Sequence, residues 1–170
     1  VELAIKLPGK EQDGSKPVWL PVDAKFPKED YERLLEARDN GDMQRAEDAA
    51  KMLERRFKLS AKDINEKYIA PPETTDFAVM FLPSEALFAE CLSRAGLSDF
   101  LQRNYRVVVA GPSSLAAMLN SLQMGFRSLA VEKRTTEIWR TLGLVKEEFS
   151  KFGSILEKTK KKLQEAADTV

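Results

Sequence analysis

Histidine is missing from this 170-residue chain, and cysteine occurs once, as Cys91. Without histidine there is no Ser-His or Cys-His nucleophile system, no histidine-ligated zinc and no imidazole general base. A single thiol cannot close a disulfide within the chain, which fits a reducing compartment. No run of about 18 apolar residues occurs, so nothing reads as a membrane span. Net charge is missing as well. Lys and Arg total 27 against 27 Asp and Glu, so any basic surface has to be local. What chemistry remains must run on carboxylates, lysines, hydroxyls or a hard metal ion.

The composition that is present, 43% hydrophobic and 32% charged, is that of a folded globular domain with one sizeable core. The chain opens at Val1, without a methionine and already in alternation, and reads as a domain excised from a longer protein. Val1, Leu3, Ile5 and Leu7 alternate with Glu2, Ala4 and Lys6, the period of a half-buried strand. Pro8-Gly9 ends it, and a polar connector with Asp13-Gly14 leads to a second strand, Val18 to Phe26, at hairpin distance. For the apolar faces to coincide, odd residues of the first strand must oppose even residues of the second. Leu7 then meets Val18, Ile5 meets Leu20, Leu3 meets Val22 and Val1 meets Ala24. The same register sets Glu2 across from Asp23 on the other face, where Lys25 also emerges. Unpaired charge is costly to bury, so that face is expected to meet water, a metal or a substrate. The plain alternative is a surface ion pair.

Helices are expected from Lys28 to Asn40, from about Asp42 to Leu59 and, as a shorter separate piece, from Ser60 to Tyr68. Phe77–Leu82 and Tyr105–Ala110 are continuous apolar runs of the kind buried on both faces of a sheet. Helices opening at Ser84, Ser98 and Pro112 separate and follow them. The expected fold is α/β: a mixed central sheet, antiparallel hairpin plus parallel strands, flanked by helices. A last, long C-terminal helix carries Ile138, Leu142, Val145, Phe149, Phe152, Leu156, Thr159, Leu163, Ala166 and Val170 at alternating spacings of four and three. That is a heptad seam suited to a coiled coil and to homo-oligomerisation. The expected division is residues 1–131 for the α/β domain and 132–170 for the helix.

An acid on one strand, Glu2, with Asp23-Ala24-Lys25 on its hairpin partner resembles the PD-(D/E)xK nuclease superfamily, which implies a restriction-endonuclease-like fold. It also implies a centre in which Glu2, Asp23 and the Ala24 carbonyl hold Mg²⁺ or Mn²⁺, and Lys25 positions or activates the attacking water. The physics is consistent: two close carboxylates repel unless a cation lies between them, and hard oxygen ligands select hard metals. Three blocks extend the resemblance: Val18 to Pro27, Thr74 to Glu85 and Val107 to Arg127 are similar to the bacterial RmuC family of DNA recombination proteins. Glu2 stands where that family often has Pro-Asp, keeping a carboxylate on a longer arm. The resemblance implies a metal-dependent DNA endonuclease that limits DNA rearrangement, with DNA as partner and coiled-coil flanks. It implies a cytoplasmic, bacterial setting, the parent protein being membrane-anchored at its N-terminus and this stretch making no membrane contact. A non-catalytic DNA-binding or scaffolding domain, assembling through its C-terminal coiled coil, is the alternative.

Several further residues invite two readings each. Arg55, Arg56, Lys58 and Lys62, and Arg127, Lys133 and Arg134, are candidates to grip a DNA backbone or are solvated helix faces. Gln123 and Arg127, one helical turn apart, are candidates to reach a cleft. Glu85 is a metal-adjacent acid or a first-turn helix acid. Ser113 and Ser114 hold a phosphate or cap a helix. Cys91 reads as core, and Trp19 and Trp139 as core or interface aromatics.

Overall fold

In the computed structural model the described residues are 3–7 and 16–167. They form β1 (Leu3–Leu7), β2 (Val18–Ala24), α1 (Lys28–Asp39), α2 (Met43–Tyr68), β3 (Ala78–Phe81), α3 (Glu85–Ser93), α4 (Leu97–Tyr105), β4 (Val107–Ala110) and α5 (Pro112–Ala167). One sheet holds the strands in the order β1-β2-β3-β4. The hairpin is antiparallel, with Leu3 opposite Val22, Ile5 opposite Leu20 and Leu7 opposite Val18, as pleat parity requires. β2 pairs with β3, and β3 with β4, in parallel. The mixed α/β sheet is therefore the one expected from the sequence.

Both parallel steps move in the same direction across the sheet, so right-handed crossovers carry their helices to one face. One buried cluster accordingly joins Met80 and Val109 of the sheet to Leu53, Phe57 and Ile64 of α2, Leu87 and Cys91 of α3 and Leu101 of α4. Leu20, Val22, Val79 and Ala110 are buried on the opposite face. Arg38 of α1 and Glu90 of α3 tie two of the helices together by a two-pronged bridge, Nη1 to Oε2 at 2.8 Å and Nη2 to Oε1 at 3.0 Å. The Glu90 hydrogen bonds hold the Arg38 guanidinium above its ordinary pKa. Burial pushes the Cys91 thiol up to about 12, which makes it an inert core residue.

Two expectations need correction. The stretch 42–68 is one helix and not two, because Ala50, Leu53, Phe57, Ala61 and Ile64 carry the buried stripe across Ser60 without a break in phase. Asp42 caps it, accepting from the Arg45 N–H at 2.9 Å. Likewise the helix opening at Pro112 and the C-terminal helix expected at 132–170 are one element, α5, which runs unbroken through Gly125, Gly143 and Gly153. Each glycine costs a helix about 1 kcal/mol relative to alanine but does not break it as proline does.

By compactness the chain divides into residues 1–121 and 122–170, with α5 starting in the first unit and continuing into the second. In the second unit Ile138, Leu142, Val145, Phe149, Phe152 and Leu156 are all exposed, and so is Trp139, at 69%. The side chains of Leu163, Ala166 and Val170, also in the expected seam, lie outside the described residues. Among the described residues no helix is long and apolar enough to cross a membrane.

Candidate functional site

β2 delivers Asp23 and Lys25 to the carboxyl end of the parallel half of the sheet. In open α/β sheets that end is where ligands bind. Here β2, β3 and β4 finish at Ala24, Phe81 and Ala110, and each leads into the start of a helix. The Lys25 N–H donates to the Phe81 carbonyl at 2.9 Å, which extends the ladder one residue past β2 and fixes the lysine backbone. Its Nζ lies 2.9 Å from Asp23 Oδ2. The pair expected to share a face therefore does so.

That face is not the open one expected. Asp23 stands level with Met80, on the helix-covered side, and is only 2% exposed. Its Oδ2 meets the lysine at ion-pair distance but outside strict hydrogen-bond geometry, and among the described residues no second cation reaches the carboxylate. Lys25 is the half of the pair that reaches solvent. The Asp23 carboxylate raises its pKa, outweighing partial burial, and Tyr68 and Asp63 of α2 reinforce the effect. At neutral pH Lys25 is thus an ammonium. It can donate hydrogen bonds and oppose negative charge, but it is not a base.

The neighbouring helix starts are occupied by capping. Glu85, at the start of α3, accepts from the Ser113 N–H at 2.6 Å and from the Ser113 hydroxyl. Those bonds, the hydroxyl's first, hold the Glu85 carboxyl below its usual range. The Ser114 hydroxyl accepts from the Gly111 N–H at 2.8 Å. Glu85 thus accepts from the start of α5, and the Ser114 hydroxyl also donates back to the Gly111 carbonyl at 3.1 Å. Gly111 is required here, because a Cβ would sit 2.8 Å from Glu85 Oε2 and from the Phe88 ring.

Beside Lys25 an open groove of about 460 Å³ runs between the β2–α1 connection and α2, lined in part by Asp30, Arg56 and Ser60. Arg56 is not a free cation: its Nε donates to Asp30 Oδ2 at 3.1 Å. Arg33 adds a looser contact to Asp30 at 3.9 Å. Asp30, Ser60 and Asp63 were missed by sequence reasoning. Asp30 carries the signature of any first-turn helix acid, and its partner lies 26 residues away. Arg55 is exposed on α2, and Lys62 lies 3.7 Å from Glu66. Gln123 and Arg127 are exposed on α5 within the second unit. Glu2 lies outside the described residues, as do the side chains of Lys133 and Arg134.

Among the described residues no group of three or more His, Cys, Asp or Glu is placed to hold a metal. The described share of the expected ligand set is Asp23 and the carbonyl of Ala24. A buried carboxylate is nonetheless the kind of oxygen donor a hard divalent cation takes, and here its Oδ2 already faces the Lys25 ammonium.

A mixed sheet with its crossover helices on one face is an α/β domain, and the buried Asp–Lys pair at its strand ends is the candidate site. A family model described as the RmuC family matches residues 1–170. Two relatives, from Xylella fastidiosa strains Temecula1 / ATCC 700964 and 9a5c, are each described as a DNA recombination protein RmuC homolog. Both are 58% identical over 163 residues, 96% of this chain and 36% of the relative. The chain belongs to the RmuC family. It spans about a third of the length of these curated relatives. No solved structure matches it.

Proposed function

We propose that this chain is the DNA-acting part of a DNA recombination protein, and that the carboxyl end of β2 is a phosphodiesterase centre of the PD-(D/E)xK kind. The observation that carries the proposal is Asp23, a buried carboxylate at the carboxyl end of β2 whose one cationic partner among the described residues is the ammonium 2.9 Å from its Oδ2. Asp23, the Ala24 carbonyl and Glu2 would hold Mg²⁺ or Mn²⁺. Bound there, the ion would polarise a phosphoryl oxygen and make a bound water more acidic. Lys25, being protonated, orients the attacking water and offsets charge growing on the phosphoryl oxygens. Burial of Asp23 under the helices keeps competing water from its carboxylate and fixes its direction.

Plasmid and branched DNA incubated with the chain and Mg²⁺ or Mn²⁺ test this, with Asp23→Asn and Lys25→Ala beside the wild type. Cleavage by the wild type alone is expected. If both variants cut as well as the wild type, the assignment fails.

A second reading has its own support. Lys25 already balances the Asp23 charge, and the exposed stripe Ile138, Leu142, Val145, Phe149, Phe152 and Leu156 has the spacing of a two-stranded seam. That favours a non-catalytic DNA-binding domain assembling through α5. Calorimetry with Mn²⁺ separates the two: Asp23-dependent heat supports the nuclease, and none supports the scaffold.

A further inference from the structure

We propose that Phe26 is a stacking platform for an unpaired base, so that the groove beside Lys25 takes single-stranded nucleic acid. This rests on the DNA reading above and adds the form of DNA the groove selects. Phe26 directly follows Lys25 and is 51% exposed. Its backbone is nevertheless pinned. The Lys28 N–H donates to the Phe26 carbonyl at 2.7 Å, and the Tyr31 N–H to the Pro27 carbonyl at 3.1 Å. A large apolar ring is thereby carried half in water on a fixed turn between β2 and α1, and the backbone that bears it needs no ordering on binding.

The surroundings suit a phosphate backbone. Phe26 lines the groove of about 460 Å³ together with Lys25, Lys28 and Arg56, a volume on the scale of small-ligand sites. Glu29 and Asp30 line it too, so three cations face two acids there. Both acids are engaged. Asp30 takes the Arg56 Nε at 3.1 Å, and Glu29 lies 3.7 Å from Arg33. Because Arg56 spends Nε on Asp30, its two terminal nitrogens make no hydrogen bond to a described residue and present a fork suited to phosphate oxygens. Lys28 has only an exposed contact to Glu32, at 3.5 Å, which exchanges readily for a phosphate. Cations that track the backbone beside an aromatic face are the usual means of holding single strands without reading their sequence. A duplex offers the same phosphates but keeps its bases stacked inside. The ring therefore confers a preference that the cations alone do not.

Fluorescence anisotropy on the whole chain, with labelled oligothymidylate and a blunt duplex of equal length at one salt concentration, tests the proposal. Phe26→Ala is expected to weaken oligothymidylate binding about tenfold, the scale of one lost stacking contact, and to leave duplex binding unchanged. Phe26→Leu, which keeps apolar bulk without an aromatic face, should lose as much, and Phe26→Trp should recover it. Arg56→Ala should weaken both ligands and flatten the salt dependence. If the wild type binds but Phe26→Ala and Phe26→Leu match it on oligothymidylate, or lose equally on the duplex, stacking is overturned and the DNA reading stands. If the wild type binds neither ligand, the DNA reading fails and takes this proposal with it.

Discussion

Three acidic side chains are buried in the described structure, and they are not treated alike. Glu90 receives two hydrogen bonds from Arg38, with Arg94 a further 3.8 Å away. Asp30 is held by Arg56 and approached by Arg33. Asp23, at the end of β2, has one cation among the described residues, the lysine 2.9 Å from its Oδ2. Burying a charge is tolerable when its partners fill the lone pairs and expensive when they do not. The first two acids are fastenings between helices. The third has a single partner at the edge where such sheets bind ligands, and that difference is what singles it out as the candidate.

The comparison can be broken most sharply at the singly partnered acid. Asp23→Asn and Lys25→Ala should each lower metal-dependent DNA cleavage by about 100-fold or more, the scale of losing a principal electrostatic contact to the reacting group. The stability of Lys25→Ala in urea unfolding should also fall, by about 2 kcal/mol, because it leaves Asp23 buried without a cation among the described residues, reduced from the fully buried case because the lysine is partly in water. Loss of stability without loss of cleavage would place Asp23 with the fastenings. At Glu90 stability alone should suffer. Arg38→Met leaves a buried carboxylate facing only Arg94 and should cost about 2–3 kcal/mol in urea unfolding, reduced from the fully buried case because Arg38 is half exposed. DNA cleavage below the unfolding transition should be unchanged.

The capped helix starts sharpen the contrast at smaller scale. Gly111→Ala should cost about 1–3 kcal/mol, since its Cβ presses on the Phe88 ring and Glu85. Glu85 gives the smallest effect and a defined sign. Its folded pKa lies below the ordinary 4.5, so its contribution is present above that value and is lost as pH falls through the lower folded pKa. Glu85→Ala should therefore flatten the acid limb of thermal stability and leave the neutral region nearly parallel to wild type. An acid limb of unchanged steepness would mean that the Ser113 bonds contribute nothing to folding.

Much of this was legible in the residues. Alternation at Leu3, Ile5 and Leu7 against Val18, Leu20 and Val22 admits few registers, since a slip of one residue turns every apolar side chain outward. The runs at Ala78–Phe81 and Val107–Ala110 could hardly be anything but buried strands. What could not be read was three-dimensional pairing. Nothing local distinguishes Asp30, locked to Arg56, from Glu29 in the same first turn. Ser60 looked like a helix start because serine caps helices, yet the stripe from Phe57 to Ala61 and Ile64 outweighed it. The Asp23–Lys25 pair was found by strand parity alone. Its burial was not, because the pleat says which residues share a face but not what covers that face.

The order of the strands has a consequence for biosynthesis. Across the sheet β1, β2, β3 and β4 stand in the order in which the chain is made. Each strand that leaves the ribosome thus finds its earlier neighbour already present as an edge to dock on, and none waits for a later segment to be inserted between them. Domains folding from the N-terminus in this way keep their sequence separations short, which favours rapid folding. Asp23 enters its pairing when β3 docks, so the Asp23–Lys25 pair is set in the sheet without waiting for β4 to add its edge.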